Sequence, residues 1–445
     1  MYSRQFVGKL TLLGVQLAYA AALAGQTVPA AGPATQTETA PPVPRPLVPR
    51  SGVKLSIWEA LERAERNNPQ LKVAVAQRES AVASIQTAKQ YPNPTISAVV
   101  GPQYSKMSNA GRGPSGLLQA YSVTQQLELP SLRTARREAA EKAVVGTELG
   151  IDGARLSLRG TVKQTFYQVL RHRGEVEVAT ENLRLIEDLR KRIETQVSVG
   201  EAARLELVRA EAEVATARTL MRSAQLREVT ALALLRSSIG ARPDEVLDPA
   251  GALDSQLALP ALDSLRDGML DRHPLLLQAK ADVATAEAKL KTEVVARKPQ
   301  PSVYTDYEHQ PDLGFVRFGV QVPLPVWNKR EGPIAEAVAE RNRLRAVQQV
   351  KELQLVAALE QAYGQYQVSS QQLESFRQGV LREAEAALQA AEAAFRFGER
   401  GIIEVLDAQR VLRSVRLDYL SAQYDLQASL IDLEQLRAID TVNNP

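Results

Sequence analysis

The chain has 445 residues, with 54 basic and 51 acidic side chains, three histidines and no cysteine. The missing cysteines exclude disulfides, thiolate metal sites and cysteine nucleophiles, and a formal charge of +3 leaves no electrostatic footprint for nucleic acid. Aromatics make up only 5% of the residues, while alanine is abundant, a mix that suits long, closely packed helices better than a thick globular core.

Residues 1–24 read as an export signal: Arg4 and Lys9 precede an apolar run from Leu10 to Leu23, with small residues at Ala18, Ala20, Ala22 and Ala24. A membrane anchor is the competing reading, but the run is short for a spanning helix. Residues 25–54 form a leader rich in Pro and Ala, centred on Pro41-Pro42-Val43-Pro44. No later segment approaches eighteen apolar residues, so any later membrane crossing cannot be helical.

The folded part says nearly the same thing twice. A first repeat over 55–240 opens with Ser56 capping a helix from Ile57 to Asn67. After Pro69 a second helix runs to about Gln90, where Tyr91-Pro92-Asn93-Pro94 stops it. Two β segments follow, 95–105 and 117–128, around a turn of loop-forming residues from Met107 to Gly116. A proline-free stretch over 131–198 then predicts a helix on the order of 100 Å long. The chain reverses at Gly200, and Leu207, Val214 and Met221 alternate with Ala210, Ala217, Ala224 and Ala231 in a heptad.

Residues 241–262 link this repeat to a second over 263–440. Asp271-Arg272-His273-Pro274 returns the motif of Arg66-Asn67-Asn68-Pro69, and strands are expected at 302–309 and 315–322. Val316, Phe318, Val320 and Val322 alternate with Arg317, Gly319 and Gln321, the period of a strand with one apolar and one polar face. Such a strand suits a membrane barrel with lipid outside and water inside. Four strands cannot close a conducting barrel, so several chains would have to contribute. A second proline-free helical region, 334–397, reverses at Gly398. Its return helix carries Val405, Leu412, Tyr419, Leu426 and Leu433 alternating with Ala408, Val415, Ala422, Ser429 and Leu436. The two heptads coincide when the first is shifted by 198 positions, the separation of Gly200 and Gly398.

These residues resemble the TolC-like outer membrane factors of Gram-negative bacteria. The carriers are Ile57-Trp58-Glu59-Ala60-Leu61 with Asn67-Asn68-Pro69, the Leu127-Glu128-Leu129-Pro130 junction, and Gly398 followed by Val405-Leu406-Asp407-Ala408-Gln409-Arg410. The resemblance implies a mainly α fold with a small transmembrane β part. Long antiparallel coiled-coil helices would form a periplasmic tunnel, and four strands per chain would build the 12-stranded β-barrel of a homotrimer. It also implies the exit duct of a tripartite efflux system, embedded in outer membrane lipid. Its partners would be a periplasmic adaptor (membrane fusion protein) and an inner-membrane pump of the RND type. The stretch from Val322 to Ala337 is similar to the heavy-metal efflux branch, which points to metal cations. Drug efflux and type I protein secretion stay open as alternatives. Many relatives carry a lipidated Cys at the mature N-terminus, and this chain has none.

In this reading Gly200, Glu201, Gly398 and Glu399 are the helix tips that would meet the adaptor. Glu404 and Asp407 lie three apart on one helix face and match the acidic positions that line the family's closed entrance. In a trimer they would make two rings of carboxylates, which favour cations. Arg400 matches a basic latch residue and Glu206 an acidic position in the first repeat. Phe395 stands where some relatives place a Tyr that bonds this acid. The bland alternative is that the acids are solvated and paired with Arg400 or Arg410. No phosphate loop or zinc-protease motif is present, so no enzyme, cofactor or metal site is expected. The competitor from another class is a periplasmic coiled-coil adaptor or scaffold without a pore.

Overall fold

The computed structural model describes residues 53–104, 107–108, 111–112, 115–253, 259 and 261–438. The expected export signal and nearly all of the leader lie outside the described residues. Within them are eight strands and nine α-helices.

Strand β1 (Val53–Leu55) takes in the last two positions of the expected leader and leads into helix α1 (Ile57–Asn67). Ser56 and Glu59 form a capping box: the Ser56 Oγ accepts from the Glu59 N–H at 3.3 Å, and the Glu59 carboxylate accepts from the Ser56 N–H at 2.8 Å. Asn68 then caps helix α2 (Pro69–Lys89), accepting from the Gln70 N–H at 2.8 Å.

Strand β2 (Thr95–Gln103), the short β3 (Met107–Ser108) and β4 (Gly111–Arg112), and β5 (Gly116–Gln126) follow. The first repeat then runs down helix α3 (Pro130–Ser198), 69 residues without a break, and back up α4 (Arg204–Ile239). Strand β6 (Leu247–Pro249), inside the expected linker, pairs in parallel with β1.

The second repeat opens with α5 (Leu262–Arg272) and α6 (Pro274–Ala296), capped by His273, whose Nδ1 accepts from the Leu275 N–H at 3.2 Å. The His ring thus takes the role that an Asn side chain has in the first copy. Burial pushes its pKa down, opposed by its hydrogen bond to the Gln435 backbone, so it stays a neutral, structural imidazole. Strands β7 (Ser302–His309) and β8 (Gly314–Gln321) precede helix α7 (Glu331–Ser375).

Here the copies diverge. The expected continuous helix is interrupted by a π turn over Phe376–Val380, with Gly379 outside helical geometry, before α8 (Leu381–Arg396) resumes. The last helix, α9 (Ile402–Arg437), returns along α3 and α8.

Strands β2, β5, β7 and β8 form one antiparallel sheet in that order, with β5 against β7 joining the two repeats. Below the sheet the heptads pack as their spacing requires. Ala210, Val214, Ala217, Ala224 and Ala231 are buried along α4, and Val405, Leu412, Ala422, Leu426, Ser429 and Leu433 along α9. Each repeat builds its own core midway along the helices. The first gathers Leu55, Leu61, Phe166, Leu235 and Leu247; the second gathers Leu265, Met269, Leu276, Leu359 and Leu433.

Candidate functional site: an amphipathic sheet and two helical tips

The sheet has two chemically distinct faces. The register puts Ile96, Val123, Thr305 and Phe318 on one rung and Ala98, Tyr121, Tyr307 and Val316 on another, all on one face because paired residues point the same way. This face is bare in the single chain: Ile96 is 75% exposed, Val316 62%, Phe318 82% and Val320 66%. The opposite face carries Ser97, Ser122, Asp306 and Arg317 on a single rung. There the Arg317 guanidinium bridges Asp306 at 2.6 Å and Glu308 at 2.5 Å. Apolar side chains without cover on one face, with ions paired on the other, are the pattern of a membrane barrel wall and the reverse of a water-soluble sheet. At the helix-side margin Trp327 is 96% exposed, and Tyr91 holds the Arg133 guanidinium over its ring at 4.0 Å. No described helix is long and apolar enough to cross a membrane.

The two tips have one construction. Gly200 and Gly398 take positive φ, 82° and 73°, a conformation open to glycine at little cost. After each glycine the next N–H reaches back five residues: Glu201 donates to the Gln196 carbonyl at 2.8 Å and Glu399 to the Ala394 carbonyl at 2.9 Å. This closure uses up helix-end carbonyls and reverses the chain within a few residues. Both acids at the reversals, Glu201 and Glu399, are exposed.

Ile402, Val405, Leu406 and Gln409 bury one side of α9. Glu404 and Asp407 therefore share the exposed side, as their spacing predicts. Each faces a nearby cation: Arg400, in the reversal before α9, has its Nη1 3.9 Å from Glu404, and Arg410 of α9 has its Nη1 3.4 Å from Asp407. Glu206 stands half-buried in the first turn of α4. Phe395 packs against the apolar cluster of Leu189, Ile193, Ala210, Leu388 and Val405 that ties the two hairpins together near the tips. The residue that lacks the hydroxyl is used as hydrophobic packing.

The polar links between the hairpins are made by Arg410, expected to pair only with the nearby acids, and by Arg416, which the sequence did not single out. From α9, Arg410 donates to Glu213 on α4 at 2.7 Å, and that carboxylate is 7% exposed. Arg416 reaches both Glu181 on α3 at 2.8 Å and Glu385 on α8 at 3.0 Å. Only the pair with Glu385, inside the second hairpin, has a counterpart in the repeat. Arg218 and Glu187 form the matching pair of the first copy, at 2.7 Å, and both recur 198 positions on as Arg416 and Glu385. Further up α3, Glu175 is clamped by His172 at 3.1 Å, Arg171 at 3.1 Å and Arg227 at 3.3 Å. The His172 hydrogen bond is the chief cause that holds its carboxyl below the usual range, with the charges of His172, Arg171 and Arg227 adding to it. Among the described residues no three acids or histidines converge as metal ligands.

A membrane-type sheet set on two long helical hairpins defines an outer membrane channel with a large periplasmic part. The chain belongs to the outer membrane efflux protein family, whose profile matches residues 60–241 and 265–438; it is a non-enzymatic channel of tripartite efflux. It is 25% identical to the cobalt-zinc-cadmium resistance protein CzcC of Cupriavidus metallidurans, over 84% of this chain and 88% of that protein. With the cation efflux system protein CusC of Escherichia coli O157:H7 it shares 24% over 86% and 84% of the two chains. The fold superposes on a CusC crystal structure with a TM-score of 0.73 at 18% identity, covering 87% of this chain and 93% of that one. For the outer-membrane channel OprN the TM-score is 0.74 at 17% identity, with 86% and 90% covered.

Proposed function

We propose that three copies of this chain close one twelve-stranded barrel with a continuous helical tunnel, and that this duct releases metal cations. The observation that carries the assembly is the sheet. Strands β2 and β8 are its two edges, and an open edge is not tolerated in hydrocarbon, so each edge requires a strand from a neighbouring copy. The bare face of Ile96, Tyr121, Val316 and Phe318 then meets outer membrane lipid. The tips at Gly200–Glu201 and Gly398–Glu399 dock on a periplasmic adaptor, which connects the duct to an inner-membrane pump of the RND type. Support for metal cations comes from the names of CzcC and CusC and from the Val322–Ala337 stretch. The pyoverdine export protein OpmQ of Pseudomonas putida, 26% identical over 69% of this chain, supports the second reading, an organic cargo. A strain lacking the gene separates the two. The proposal expects it to become sensitive to cobalt, zinc or cadmium; sensitivity confined to organic compounds would reject the metal assignment.

At the entrance, Glu404 and Asp407 from three chains form two rings of carboxylates, tempered by Arg400 and Arg410. Such rings draw cations to a constriction and bind multivalent ones. Replacing both acids with alanine should raise single-channel conductance and weaken block by multivalent cations. Unchanged conductance and block would remove Glu404 and Asp407 from the entrance.

A further inference from the structure

Beside the core of the second repeat a cavity of about 500 Å³ lies between α3, α6, α7 and α9. That volume is within the range of small-molecule pockets. Leu355, Ala362 and His273 line it and are buried, while Gln361, Asp432 and Gln435 add polar side chains to its wall. Asp432 accepts from the Gln164 Nε2 at 2.7 Å through one carboxylate oxygen, Oδ1. Among the described residues no cation pairs with this acid, and nothing donates to its Oδ2. The neighbouring cations are otherwise engaged. Lys163 of α3 lies 2.5 Å from Glu434, and His273 is a neutral ring already bonded to the Leu275 N–H and the Gln435 backbone. Burial pushes the Asp432 carboxyl up, opposed only by its Gln164 hydrogen bond, so the anion is held here without an ionic partner. The packing common to both repeats does not call for it. Shifted by 198, the buried Leu433 is matched by the buried Leu235, but Asp432 is matched by Leu234.

We propose that this cavity is a binding site for a small organic ammonium ion with an apolar body. The ammonium group donates to Oδ2 of Asp432, with the amide oxygens of the lining glutamines as further acceptors, and the apolar body covers Leu355 and Ala362. A charge-assisted hydrogen bond of this kind is about twice as strong as a neutral one. A metal ion is the poorer occupant. Among the described residues no three acids or histidines converge, and one carboxylate beside neutral amides falls short of the oxygen-rich shell that a hard cation needs. The site lies within a single chain and stands whichever cargo the duct releases.

The test titrates hexylammonium chloride into the full-length protein held in amphipol, against an amphipol blank, and reads binding by calorimetry. Hexanol serves as the uncharged probe of the same length. The proposal expects hexylammonium to bind the native protein, Asp432→Asn to weaken that binding about tenfold or more, and hexanol to bind both proteins alike. Asparagine keeps an acceptor for Gln164, so this variant tests the charge and not the fold. Ala358→Phe, which fills the cavity from α7, should abolish binding of both probes. Equal affinity of the native and Asp432→Asn proteins for hexylammonium, or undiminished binding to Ala358→Phe, would overturn the proposal. So would the absence of binding to the native protein at millimolar hexylammonium.

Discussion

Among single residues, Gly319 is fixed by its neighbour across the sheet. A Cβ added there would sit 2.3 Å from the ring of Tyr304, so the glycine exists to let the aromatic lie flat over the strand. Gly319→Ala should lower the temperature at which the trimer dissociates, through a cost of about 1–3 kcal/mol per chain for the displaced ring. Tyr304→Ala should remove most of that extra cost, so a double-mutant cycle would read a strong coupling. Additive effects would show that the ring moves aside freely. Glu175 makes a prediction in pH. Its carboxyl is held below the unfolded value of about 4.3, chiefly by His172 and then by Arg171 and Arg227. Its stabilisation is therefore complete above that value and is lost as pH falls through the lower folded value. Glu175→Gln should be less stable near neutrality and should show a shallower fall in thermal midpoint on acidification below about pH 4.3. A parallel fall in both proteins would mean that the clamp does not carry the acid sensitivity.

Among elements, the heptads of α4 and α9 bury most of the residues their spacing nominates, with Leu207, Met221, Ala408, Val415, Tyr419 and Leu436 half-buried, because Ala and Leu at those steps leave one apolar face to pack. The strands were equally legible: Val316, Phe318 and Val320 alternate with polar neighbours over the length of β8. What sequence could not show was the pairing across hairpins. Arg410 has Asp407 within one turn, so periodicity points to a local pair, whereas folding brings the buried Glu213 to the same guanidinium from 197 residues away. The β1–β6 pair escaped for the same reason: three-residue strands have too little pattern to read, and only the pairing itself reveals them. The π turn was hidden because Gly379 stands in an otherwise helical run. This bridge predicts an asymmetry. Arg410→Met leaves Glu213 buried without its strongest partner, while Glu213→Gln leaves Arg410 half in solvent and still near Asp407. The first should cost more stability than the second, by about 1–3 kcal/mol. Equal losses in thermal or urea denaturation would argue that Glu213 is hydrated in the assembled channel.

For the whole molecule, the duplication has mechanical meaning. Each copy supplies one strand pair to a shared sheet and one long helical hairpin below it, so three chains give six near-equivalent units around an axis. The units differ where function needs a difference. The unbroken α3 of the first copy is answered by the interrupted α7–α8 of the second. The central claim is that this chain forms a conducting duct, and the measurement that reaches it most directly is the current through single purified trimers in a planar lipid bilayer. The account predicts discrete, cation-selective steps that shrink when multivalent cations are added on the side of the helical tips. A trimer that inserts into the bilayer and passes no stepwise current, or conducts anions in preference to cations, would contradict it.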